Sequence, residues 1–137
     1  MPIPGSADDG TMTADLAHFD LAEEIATLES HKPWPSGIHA KTLFKKPDFR
    51  TVLICMEAEA AIKEHHTDGT SSVQVLKGAI RYRTQGQIYE LKTGSLLTLG
   101  ASIKHDVEAI DESAFLLTIS WPDNQELLAM PHRGYGT

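Results

Sequence analysis

The chain has 137 residues, 41% hydrophobic and 23% charged, which fits one globular domain with a core of ordinary size. Its apolar runs fall far short of the roughly 20 residues that cross a bilayer, and its single cysteine excludes an intrachain disulfide and a cysteine-based zinc site. The net charge of −7 is concentrated, because residues 1–30 hold seven acids and no Lys or Arg while the remainder balances 12 acids with 12 bases; no basic stripe offers itself to nucleic acid.

Residues 1–12 read as a segment without fixed structure, and the acidic arm 1–37 as largely solvated. Met1-Pro-Ile-Pro-Gly-Ser-Ala-Asp-Asp9 has neither the basic start nor the apolar centre of a signal peptide, so a cytoplasmic location is expected. Asp20-Leu-Ala-Glu23 has the form of a capping box, and Leu21, Ile25 and Leu28 repeat at helical spacing. Together they predict a short helix near 21–29. Two prolines and a glycine in Lys32-Pro-Trp-Pro-Ser-Gly37 forbid its continuation.

From Ile38 to the end at Thr137 the pattern is β. Thr42–Phe44, Arg50–Met56, Val73–Leu76, Ala79–Arg83, Ile88–Leu91, Ser95–Leu99, His105–Ala109 and Ala114–Ser120 are short strand-like runs. Turn signals separate them: Lys46-Pro-Asp48, Gln85-Gly86, Lys92-Thr-Gly94, Gly100-Ala-Ser102 and Asp111-Glu112. Such close, regular spacing with no intervening helix predicts an antiparallel sandwich or barrel. Cys55, inside Val52-Leu-Ile-Cys-Met56, reads as a buried and inert strand residue. Met56, Tyr82, Phe115, Leu117, Ile119 and Trp121 read as core or interface. Glu57/Glu59 and Asp111/Glu112 read as rim and turn acids.

Two stretches carry the candidate chemistry. Glu64-His65-His66 precedes Val73-Gln-Val-Leu and Gly78, and Gly94-Ser-Leu-Leu-Thr-Leu-Gly-Ala-Ser-Ile-Lys-His105 ends where a strand begins. Strand alternation puts Glu64 and His66 on one face and His65 on the other, unless a bulge intervenes. One coherent set is therefore Glu64, His66 and His105; the other is His65 and His105, with Gln74 as a weak amide ligand. Gln74 equally reads as the solvent-side residue of an alternating strand. Arg50, Arg81 and Arg83 sit in strands, where an inward guanidinium would clamp a carboxylate and an outward one would join a solvated basic face. His18, His31, His39 and His132 lie outside any motif and read as surface residues.

These phrases resemble the cupin conserved barrel over about residues 58–120. The family's second motif places its end residues on Gly94 and His105, with Gly100, Ser102 and Ala109 replacing its Pro, second Gly and Asn. The first motif, counted back from Gly78, puts its Glu on Ser71 and its second His on His66, with Glu64 at the first His position. The shorter permitted spacing puts the first His on His65 and the second on Thr67. The resemblance implies an all-β jelly-roll barrel (a double-stranded β-helix) of RmlC type, preceded here by the short helix. It implies a homodimer paired through sheet edges, which the arm and the Trp121-Pro-Asp segment would cover. It also implies one divalent metal (Fe, Mn, Ni or Zn) held by residues drawn from His105, His66, His65, Glu64 and Gln74. A small polar organic molecule would bind in the barrel. Any enzyme would be a metal-dependent oxygenase or isomerase with Glu64 as a general base; the alternative is a non-enzymatic ligand-binding, sensory or dimerising cupin without metal.

Overall fold

The structure is a computed structural model that describes residues 12–122. Helix α1 (Leu21–Glu29) and a 3-10 turn at Pro35–Gly37 precede nine strands. These are β1 (Ile38–Lys46), β2 (Phe49–Met56), β3 (Ala61–His65), β4 (Thr70–Lys77), β5 (Ala79–Thr84), β6 (Gln87–Lys92), β7 (Leu96–Leu99), β8 (His105–Ala109) and β9 (Ser113–Ser120). They form two antiparallel sheets, ordered β1-β2-β9-β4-β7 and β3-β8-β5-β6. This is the double-sheet jelly roll expected from the strand spacing.

Turn chemistry sets the path between the sheets. Gly78 alone joins β4 in one sheet to β5 in the other. It sits at φ +72, and a Cβ there would collide with the Glu112 carbonyl oxygen, so only glycine fits the corner. The β5–β6 hairpin closes through Gln85 and Gly86, both at positive φ as a type I′ turn requires.

Alternation sorts the strands' side chains into two cores. Between the sheets lie Val52, Ile54 and Met56 of β2, Val73 and Val75 of β4, Ile80 and Tyr82 of β5, and Phe115, Leu117 and Ile119 of β9. On the outer face of the five-stranded sheet, Leu53, Cys55 and Ala114 pack beneath Leu28 and Trp34. Strand β2 is thus buried on both faces, which accounts for its unbroken apolar run. Cys55 is 1% exposed, and burial is the main reason its thiol is pushed up to about 11.

The acidic arm differs from expectation. Asp20 caps α1 by accepting from the Glu23 amide at 3.2 Å. Leu21 and Ile25 pack with Leu28 onto the outer core. The helix acids meet lysines of the sheet, Glu24 with Lys41 and Glu29 with Lys77, and Asp15 reaches Lys46 at 2.8 Å. Trp34 donates its indole N–H to the Leu28 carbonyl at 3.0 Å, and its amide to Glu57 at 2.9 Å. The apolar stripe and this charge match hold the arm against the sheet from Phe19 to Trp34, where solvation was expected. Residues 1–11 lie outside the described residues, as do Asp123 and His132. No helix among the described residues is long and apolar enough to cross a membrane.

Candidate functional site: a histidine pair between the sheets

Strand β8 lies inside its sheet, between β3 and β5, and starts at His105. His105 is 6% exposed and stands opposite His65 on β3 and Thr84 on β5. A register shift between Ile62 and His65 turns His65 toward the interior and leaves Lys63 and Glu64 exposed. The two imidazole rings meet edge to face, 4.3 Å between centroids. On the other side of His105 the Tyr82 ring is stacked at 5.0 Å and 16°.

Hydrogen bonds fix what the pair presents. His65 Nδ1 lies 2.7 Å from the Lys63 carbonyl oxygen, and His105 Nδ1 lies 3.0 Å from that of Ile103. A carbonyl only accepts, so each Nδ1 is the donor, and in a neutral ring so held Nε2 carries the lone pair. Burial, the largest influence, pulls the His105 pKa below the ordinary histidine value, with His65 and His66 adding to it against the Ile103 carbonyl and Asp106. Burial likewise pushes the Tyr82 phenol up, so it stays protonated. The rings line a cavity of about 20 Å³, otherwise walled by Ile54, Ile62, Val73, Val107, Phe115 and Leu117. That is room for one water-sized group.

Ser102, at the family's glycine position, adopts φ +65, and its amide donates to the Thr67 carbonyl at 2.7 Å. This bond ties the loop before His105 to the loop after His65.

The other candidates lie elsewhere. Glu64 and His66 are exposed, so the Glu64–His66–His105 set does not assemble, and Glu64 is placed at the surface rather than against the rings. Gln74 is exposed on the outer face of β4, opposite Leu96 and Leu116, because Val73 and Val75 take the inward positions. Ser71 is buried at the family's glutamate position and brings no charge. Arg81 and Arg83 do not enter the barrel: Arg81 pairs with Glu108 at 2.7 Å, and Arg83 with Asp106 at 3.0 Å, across the outer face. Arg50 lies over the Trp121 ring, 5.5 Å from its centroid. His18 and His31 are exposed and His39 half-buried. Tyr82, read from the sequence as core, is both core and the wall of the site; its inward alternation with Ile80 and Thr84 was the available signal.

Of the five candidate metal ligands, the structure brings together His65 and His105, and among the described residues no three His, Cys, Asp or Glu side chains are grouped to hold an ion.

Comparison with known proteins agrees with the fold. The family model of the AraC-like ligand-binding domain matches residues 52–130, more than half of the chain. The chain belongs to this cupin-type family. Among solved structures, a conserved protein of unknown function from Streptococcus pyogenes superposes with a TM-score of 0.68 at 18% identity, covering 85% of this chain and 100% of that one. A cupin superfamily protein from Desulfitobacterium hafniense gives 0.63 at 13%, covering 66% and 84%. An RmlC-like cupin from Shewanella frigidimarina gives 0.61 at 16%, covering 67% and 83%. No curated protein matches the chain significantly in sequence. The chain is a small cupin, a jelly-roll barrel with a short N-terminal helix.

Proposed function

We propose that this cupin is a non-enzymatic binding module whose ligand donates hydrogen bonds to Nε2 of His65 and His105. The observation that carries this reading is the pair of Nδ1–carbonyl contacts: with both Nδ1 protons spent there, the neutral rings are left with two acceptors, and no Lys or Arg lines the cavity. Neutral hydroxyl, amine or amide heads satisfy such a pair, whereas a carboxylate would face lone pairs in an apolar cavity. Membership of a ligand-binding family supports it.

Long-range ¹H–¹⁵N spectra of the histidine side chains test the proposal directly. Phenol, a neutral hydroxyl donor, is expected to shift Nε2 of His65 and His105, and benzoate at the same concentration and pH 7.5 is not. Equal responses to both, or a phenol response confined to other histidines, would sink the reading. A divalent metal is the second reading, because an Nδ1–carbonyl bond is also what orients a ligating imidazole. Elemental analysis of untagged protein decides it: about one ion per chain, absent in His105→Ala, favours metal, and equal trace amounts in both exclude it.

A further inference from the structure

A second space lies beside the histidine cavity. Strands β1 and β3 are edge strands of their sheets, and a groove of about 400 Å³ runs along β3 beside Ile38, the first residue of β1. It follows β3 through all five residues from Ala61 to His65, roughly 16 Å at ~3.3 Å per residue. Ile38, Ala61 and Ile62 make an apolar floor, with Ser36, Lys63 and Glu64 at the rim. Ile62 and His65 line both the groove and the inner cavity. The two spaces therefore meet at Ile62 and the half-buried His65, carried on an edge strand with a register shift between them.

Their sizes and chemistries are complementary. The inner cavity accepts one small polar head and cannot take a body. The groove can take an apolar body, but its floor holds no polar side chain to orient one. We propose that the two form a single bipartite site, and that the ligand is an elongated amphiphile, an apolar chain or ring ending in a neutral hydroxyl or amine. The head lies between His65 and His105 and the body along β3, so the ligand enters sideways from the groove. This rests on the binding reading above and adds the ligand's shape and route.

Isothermal titration of the full chain with phenol and with 4-butylphenol tests it, in the wild type and in Ala61→Trp, which fills the groove from an exposed position. The butyl group is expected to tighten binding at least tenfold over phenol, since each buried CH₂ contributes about fourfold. Ala61→Trp should erase that gain, and its urea midpoint, close to that of the wild type, reports that the variant is folded. Equal affinity of the two phenols, or a butyl gain that survives Ala61→Trp, overturns the groove and leaves the histidine reading intact. A butyl gain without any phenol binding removes the histidines and overturns the bipartite site. No binding of either probe overturns both.

Discussion

His65 and His105 have the same side chain and the same Nδ1–carbonyl bond, yet their strands make them different tools. His105 opens a strand with neighbours on both sides, is almost fully buried, and is clasped by the Tyr82 ring. His65 ends an edge strand of five residues, follows a register shift, and remains partly exposed. The comparison teaches that one histidine is an anchor and the other a wall that can yield. Burial and strand position, not residue type, assign the roles.

The largest expected effect follows from deleting each ring. His105→Ala leaves a hole beside Tyr82 and should cost about 2–4 kcal/mol in urea unfolding, while His65→Ala should cost under about 1 kcal/mol. Equal costs would break the contrast. A smaller effect comes from pH. The folded His105 pKa lies below its ordinary value, so the unfolded chain binds the proton more readily. Stability from this site is present above about pH 6.5 and is lost as pH falls through the folded value. The urea midpoint of metal-free protein should therefore fall between pH 7 and pH 5, less steeply in His105→Phe; parallel curves would show that the ring does not control it. The smallest effect belongs to the loop that steadies the anchor. Ser102→Gly removes the strain of a left-handed serine and should gain about 0.5 kcal/mol net of the entropy glycine adds to the unfolded chain. A lower thermal midpoint would show that the serine side chain contributes more than its backbone costs.

The fold was legible because its signals are local. Short β-rich runs between turn signals marked seven of the nine described strands closely, the capping box marked α1, and the spacing from Gly94 to His105 placed the anchor. Strand β3 was not legible as a strand, since Ala61-Ile-Lys-Glu-His65 buries only Ile62 and its identity depends on pairing with β8. The choice between His65 and His66 was hidden for the same reason: the register shift after Ile62 is a tertiary feature, and two polar residues there give no sign of it. Gln74 was decidable from its flanking valines. Ser71 and Ser102 show the two fates of a replaced motif residue. At position 71 the carboxylate is gone, whereas at 102 serine holds a positive φ that glycine would adopt without strain.

The packing of α1 over Cys55 has a practical consequence. This sheet face carries the chain's one thiol, protonated and shielded by a nine-residue helix whose acids sit on sheet lysines. A thiol reagent in excess can therefore label the protein only as often as that helix lifts, and added salt, which weakens those pairs, should quicken the labelling. The protein contains its own stopwatch for the motion of its arm.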